Sequence, residues 1–221
     1  MNAKPLDFIE LSHATHTLIA GTTGSGKSTL IHSLISAILS QGADIGLIDP
    51  KRIELSPYEP IARFYACEVK ESEEWLNGVI KAMEDRYTYM KEHKTRICPY
   101  KHLFIIIDEL ADLMVQDKKG ISAKIQRITQ LGRGCNIHII AATQAPDRTH
   151  TLPATMKLNF DSRIALRCAE PIESKQIIDR KGAEQLPKYG FCIWKNGADI
   201  DVYSVPYVSD SDIERTVRMY S

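Results

Sequence analysis

The chain of 221 residues has no long hydrophobic run. No stretch approaches the roughly 20 uninterrupted apolar residues that cross a bilayer, and the first residues lack the basic, apolar, small-residue succession of a secretory leader. The expectation is a cytoplasmic chain that does not itself enter a membrane. Cys67, Cys98, Cys135, Cys168 and Cys192 lie far apart and never form a CxxC pair. Neither a thiolate zinc site nor a disulfide framework is indicated, and reduced, mostly buried thiols are expected. Charge of one sign is lacking as well, since Lys plus Arg and Asp plus Glu number 28 each. That balance removes the overall basic excess of many nucleic-acid binders and leaves only local patches for such contacts. Internal repeats, low-complexity tracts and polar linkers are also absent.

What is present is 43% apolar residues, enough for an ordinary core, and residues 1–221 are expected to form one domain. Strand-like runs fall at 17–20, 44–48, 103–107, 137–142, 163–167 and 191–194, with a further one near 199–205. Most lack polar alternation, as strands covered on both faces do. Helical spacing joins them: Leu30, Ile31, Leu34, Ile35 and Ile38 recur at intervals of three and four over 28–40, and Gly42 is placed to end that helix. Leu76, Ile80, Met83, Tyr87 and Met90 mark a longer helix over about 73–93, and Ile121, Ile125, Ile128 and Leu131 mark another over 121–131. The alternation predicts an α/β fold with a predominantly parallel central sheet and helices on both faces.

The segment GTTGSGKS, Gly21 to Ser28, fits GxxxxGK[ST] between a strand and a helix, the context that pattern requires. Gly21, Gly24 and Gly26 let the backbone turn tightly and aim amide N–H groups inward, toward an anion that the helix N-terminus also favours. Thr22, Thr23, Gly24, Ser25, Gly26, Lys27, Ser28 and Thr29 are the candidate nucleotide contacts. Lys27 is placed to reach the β and γ phosphates of ATP, and Ser28 to hold magnesium (Mg2+) through its hydroxyl. The run 103–107 ends in Asp108 and Glu109, two acids at the carboxyl edge of a buried strand, where ligands of open α/β sheets bind. Asp108 is the candidate magnesium-orienting acid and Glu109 the candidate that polarises the attacking water. A bland reading stands beside this one, since acids also cap the start of a following helix.

GTTGSGKS, LIDPKRIELSPYE at 47–59, IIIDELADLM at 105–114 and GRGCNIHIIAATQAP at 132–146, in that order, resemble the motor domain of the FtsK/SpoIIIE family of DNA translocases. SRIALR at 162–167 and IIDRKGAEQL at 177–186 extend the likeness over nearly the whole chain. The resemblance implies a RecA-like P-loop NTPase core that assembles into a ring, usually a hexamer, and drives double-stranded DNA through it by ATP hydrolysis. It implies that Asp49 and Lys51 stand near the nucleotide and subunit boundary, that Arg133 acts near a neighbour's γ phosphate, and that Gln144 is a sensor at the strand end. Lys175 stands where many relatives carry arginine, which leaves its role open. No membrane-spanning region, long linker or winged-helix module is recognisable. That fits either a motor taken from a larger protein or a small ATPase of a plasmid, phage or integrative element, with a membrane-anchored partner as a candidate recruiter. Related rings move single-stranded DNA in conjugation or export proteins in type VII secretion; DPKRIELSPYE argues for the DNA branch. A nucleotide-dependent scaffold is the reading of a different class, against which Glu109 speaks.

Several residues have competing readings. Arg133 could cap the helix ending near Leu131, and Arg163 divides between a structural ion pair and a boundary contact. His13 and His16 lack companions for a metal set. Trp75, Tyr87 and Tyr89 read as packing rings. Lys91, Lys94, Arg96 and Lys101, and separately Lys118, Lys119 and Lys124, are candidate phosphate contacts whose DNA affinity would fall steeply with salt.

Overall fold

The computed structural model describes residues 3–8, 10, 15–116, 120–144 and 157–221. Its strands are β1 (Lys4–Pro5), β2 (Thr17–Ala20), β3 (Asp44–Ile48), β4 (Tyr65–Ala66), β5 (Leu103–Ile107), β6 (Ile137–Thr143), β7 (Ser162–Ala165), β8 (Phe191–Asn196) and β9 (Asp199–Ser204). They form one sheet in the order β1-β9-β8-β7-β2-β6-β5-β3-β4. Every described pairing is parallel except the two made by β8, so β8 alone runs against the others.

The uninterrupted apolar runs follow from coverage of both faces. Ile19, Phe104, Ile106 and Ile140 point to one side, where α1 (Lys27–Ser40) buries Leu30, Ile31, Leu34, Ile35 and Ile38 against them. Leu18, Ile105, Ile107 and Ile139 point to the other, against α2 (Val69–Glu92), α3 (Leu110–Gln116) and α4 (Gly120–Leu131). Each fully buried Ile or Leu contributes about 1.5–3 kcal/mol by leaving water. Truncating a shared one such as Ile106 to Ala would cost about 2–5 kcal/mol. A third cluster packs α5 (Pro171–Ile178) on Ala20, Ala165 and Ile193. α6 (Asp210–Tyr220) adds Ile213 to the first face.

The predicted strands 17–20, 44–48 and 103–107 are observed with those bounds. The run 163–167 leaves the ladder after Ala165, because Leu166 and Arg167 turn to the P-loop instead: Leu166 N–H donates to Ala20 O (2.8 Å) and Thr22 N–H to Arg167 O (3.0 Å). The long helix starts earlier than its apolar stripe, at Val69, because Glu68 and Glu71 form a reciprocal capping box. Gly42 does follow α1 in the left-handed conformation (φ 74°) that glycine adopts freely. Four cysteines are buried, Cys67 is half-buried, and all are free thiols. No helix among the described residues is long and apolar enough to cross a membrane.

Candidate active site

Parallel strands put their carboxyl ends at one edge, and the candidate residues gather there. Gly21 follows β2, Asp49 to Lys51 follow β3, Asp108 and Glu109 follow β5, and Gln144 follows β6. The P-loop needs two left-handed glycines, Gly24 (φ 72°) and Gly26 (φ 100°), the second leading directly into α1. Gly21 is excluded from carrying a side chain for another reason: a Cβ there would stand 2.8 Å from Leu166 Cβ. Lys27 Nζ donates to the loop's own carbonyls, Gly21 O at 2.7 Å and Thr22 O at 3.4 Å, so the ammonium lies folded into the cradle. Burial pulls its pKa below the usual lysine value, while Glu109 and Asp108 oppose that shift. Ser25 Oγ is buried with no partner among the described residues. An unsatisfied hydroxyl beside left-handed glycines, a helix N-terminus and a desolvated ammonium fits an incoming polyphosphate.

A cavity of about 750 Å³ opens at this edge, lined in its phosphate half by Thr23 to Thr29, Lys51, Glu54, Asp108, Glu109 and Gln144. Burial, with Asp49 and Glu54 nearby, pushes the Asp108 carboxyl up to about 6 against the opposing Lys51. An acid held above its ordinary range by desolvation and like charge is a site suited to a cation, which relieves both. Ser28 and Asp108 share the cavity and fit magnesium by donor chemistry. Glu109 is buried; its Oε1 accepts the Gln144 backbone N–H (3.2 Å) and its Oε2 faces Lys51 Nζ (3.5 Å). A helix does begin at Leu110, yet both Glu109 oxygens are engaged in the site. The Thr23 hydroxyl donates to Gln144 Oε1 at 2.9 Å, linking the P-loop to the end of β6.

Two expected nucleotide contacts, Thr22 and Asp49, do not line this cavity. Thr22 spends its hydroxyl on Arg167 O (3.1 Å). Asp49 is fully buried, and its Oδ2 accepts the Leu55 N–H (3.0 Å) and the Tyr65 hydroxyl (3.3 Å). It braces the loop that carries Lys51 and Glu54 rather than lining the cavity. Glu54 was not singled out by sequence reasoning, although it lies within LIDPKRIELSPYE; it stands 3.9 Å from the buried His32 on α1.

Arg133 lies at the opposite edge of the sheet, in the 3-10 turn Gly132–Cys135 before β6. A strand of seven residues separates it from Gln144, roughly 20 Å at ~3.3 Å per residue. No hydrogen bond from the Arg133 side chain to the end of α4 is found among the described residues; Leu131 O instead accepts the Tyr87 hydroxyl (2.5 Å), and Arg86 holds the following turn through Cys135 O (2.7 Å) and Asn136 O (3.2 Å). The Arg133 side chain makes no hydrogen bond or ion pair among the described residues and is exposed.

Several of the other candidates are packed or paired, whereas Lys91, Lys94, Arg96 and Lys101 are exposed. Arg163 pairs with Asp179 (2.8 Å), and Lys124 with Glu73 (2.7 Å). Trp75 stacks on Phe64, and Tyr89 on His93. His16 accepts the Ile139 N–H (3.0 Å) inside the core, and burial depresses its pKa to about 3. Lys175 is exposed on α5. His13, Lys118 and Lys119 lie outside the described residues. Among the described residues no group of three or more His, Cys, Asp and Glu could hold a metal ion.

A glycine-rich strand-to-helix loop with its lysine, and paired acids at a neighbouring strand end, on a mostly parallel sheet, define a P-loop nucleotide-binding protein. The comparisons narrow the class. The FtsK/SpoIIIE family model matches residues 3–99 and 96–148, and the chain belongs to that family. It is 35% identical over 237 residues to the DNA translocase FtsK of Tropheryma whipplei (strain TW08/27), covering 94% of this chain and 32% of the relative. With the Bradyrhizobium diazoefficiens DNA translocase FtsK it shares 31% identity, covering 95% of this chain and 31% of that protein. The chain thus spans about a third of the length of these relatives. Its fold is similar to the pCW3 conjugation coupling protein TcpA, in monomer form with ATPγS (TM-score 0.85, 24% identity, 96% of this chain and 66% of that one). It is also similar to the cytoplasmic domain of the Thermomonospora curvata type VII secretion ATPase EccC (TM-score 0.79, 20% identity, 95% and 28%).

Proposed function

We propose that the chain is an ATP-hydrolysing motor domain that moves double-stranded DNA as a ring of its own copies, with six as the expected number. The observation that carries this reading is the division of the machinery between two edges of one sheet. Lys27, Ser28, Asp108, Glu109 and Gln144 share one cavity, while Arg133 stands at the far edge with no hydrogen bond or ion pair from its side chain among the described residues.

The P-loop N–H groups and Lys27 bind the β and γ phosphates, Lys27 exchanging its loop carbonyls for phosphate oxygens. Ser28, and Asp108 through water, would hold magnesium, which when bound would supply positive charge beside those oxygens. Glu109, fixed by the Gln144 N–H and Lys51, orients water for attack on the γ phosphorus and takes its proton. Arg133 cannot reach its own cavity, so it serves a neighbour's γ phosphate, which makes turnover depend on assembly. Loss of that phosphate is sensed at Gln144, whose amide oxygen is tied to Thr23 and whose N–H aims Glu109. Membership of the family and 30–35% identity to proteins named DNA translocases support duplex DNA as cargo. Residues 1–221 act as one motor unit in the cytoplasm, with a membrane-anchored partner as the candidate recruiter.

The test is steady-state ATP hydrolysis with and without linear duplex DNA, at low salt, over protein concentrations that span assembly. The expected result is turnover that duplex DNA stimulates once copies assemble and that Lys27→Ala abolishes. DNA-indifferent turnover would reject the duplex-DNA reading and leave an ATPase with another cargo.

A further inference from the structure

The cavity continues past the phosphate cradle onto a second wall that the chemistry above does not use. Leu166, Tyr189, Gly190, Val205, Pro206 and Tyr207 line it. They come from three segments: the chain leaving β7, the turn before β8 and the chain leaving β9. The antiparallel register of β8 between β7 and β9 brings them together, and the Val205 N–H closes the wall by donating to Gly190 O at 2.9 Å. Leu166 joins this wall to the cradle, since it is buried and its Cβ leaves no room for a side chain at Gly21.

The two tyrosines stand out. Tyr189 is 60% and Tyr207 83% exposed, on a wall whose other side chains are apolar. Among the described residues no other ring stacks on Tyr207; Tyr189 has Lys188 Nζ at 5.0 Å from its ring centre. An exposed aromatic face at the mouth of a polar cavity is suited to a flat partner that arrives from solution. The side chains of this wall include no amide, carboxylate or cation, so their only polar atoms are the tyrosine hydroxyls. Pro206 has no N–H to offer, and that of Val205 is already engaged. The side chains of this wall therefore present faces to a ligand and few groups that read its edge.

We propose that Tyr189 and Tyr207, with Leu166 beneath, form the nucleobase subsite, holding a purine by its ring face. This rests on the nucleotide reading given above and adds its base specificity. The occupant follows from continuity: a molecule whose phosphates fill the P-loop has its base directed along the same cavity, and about 750 Å³ is ligand-sized. Recognition by stacking favours purines over pyrimidines through ring area and tolerates both purines. Strong discrimination between adenine and guanine needs hydrogen-bonding groups left unpaired by the wrong base, and the side chains here supply few of them.

Isothermal titration of the nucleotide-free chain with ATP, GTP, CTP and inorganic tripolyphosphate tests this. ATP and GTP should bind within about 10-fold of each other, and CTP more weakly. Tyr207→Ala should weaken ATP roughly 5- to 100-fold while leaving tripolyphosphate unchanged, and Tyr207→Phe should restore ATP. The exposure of Tyr207 makes these variants safe for folding, and unchanged melting curves would verify it. ATP binding that ignores Tyr207→Ala and Tyr189→Ala while still requiring Lys27 would overturn the base subsite and leave the nucleotide reading standing. So would equal losses of ATP and tripolyphosphate, or ATP preferred over GTP by more than about 100-fold. Failure of the unaltered chain to bind either ATP or tripolyphosphate would overturn both readings.

Discussion

The Gln144 backbone N–H donates to Glu109 Oε1 at 3.2 Å, so the acid after β5 is aimed by the first residue after β6. The same Gln144 accepts the Thr23 hydroxyl through its side chain, and the other oxygen of Glu109 faces Lys51. A continuous polar path thus runs from the P-loop through two strand ends to the loop after β3. Any displacement of Gln144 changes where Glu109 points.

Glu109→Gln keeps an amide oxygen for the Gln144 N–H and should preserve the fold and ATP binding. It loses the proposed base for the attacking water. Single-turnover hydrolysis is expected to fall about 10²- to 10⁴-fold with ATP affinity within a few-fold of the original. An unchanged hydrolysis rate would remove Glu109 from the chemistry.

Asp108 carries a pH signature. Its carboxyl is raised from an ordinary 3.8 to about 6, so the folded chain holds that proton more tightly than the unfolded chain does. Protonated Asp108 is the more stable folded form; stability therefore falls as pH rises from about 4 to about 6 and stays lowered above that, by at most about 3 kcal/mol. Asp108→Asn should be the more stable protein near neutral pH, by about 1–3 kcal/mol without nucleotide, and should lose magnesium-dependent ATP binding. Thermal melts across this range check it: the variant's curve should lack the decline, and an unaltered decline would place its origin elsewhere.

Much of this site was legible in the sequence because local chemistry fixes it. A P-loop needs glycines, a lysine and a hydroxyl in one contiguous segment, and a strand covered on both faces reads as an apolar run, so β2, β3, β5 and the acids after β5 could be placed without coordinates. What tertiary pairing decides was not legible. Asp49 matches a family position, yet whether it faces nucleotide or braces its own loop depends on where Tyr65 and Leu55 fall. Leu166, Tyr189 and Tyr207 converge only through the register of β8, and no local pattern announces that. α6, by contrast, was marked by Ser209 and Asp212, which form a capping box in the structure; that signal went unread.

At the amino edge Asp179 gathers Lys157, Arg163 and Lys195, with Lys157 Nζ at 2.7 Å. Desolvation would raise the Asp179 carboxyl, but hydrogen bonds from Lys157 and Lys195 and the Arg163 charge outweigh it and hold it well below the usual range. Asp179→Asn suits the left-handed backbone there (φ 63°) while deleting the charge. Because Asp179 is half-exposed, solvent screens the loss, and a destabilisation of about 1–2 kcal/mol is expected in urea unfolding at neutral pH. No change would mean that the three cations are solvated independently.

The position of Arg133 predicts complementation between two inactive variants. Arg133→Ala should lower DNA-stimulated hydrolysis by about 10³- to 10⁵-fold while leaving ATP binding intact. Lys27→Ala should lose ATP binding yet still lend its Arg133 to a neighbour. Mixing the two should recover a fraction of the activity that neither shows alone. No recovery at any ratio would argue against a residue shared across copies.

Movement on DNA is the central claim, and displacement of a third strand from a linear duplex reads it most directly. The chain at assembling concentrations should release the third strand in the presence of ATP and magnesium, and Lys27→Ala and Glu109→Gln should not. Robust ATP hydrolysis on duplex DNA with no strand released would contradict the account.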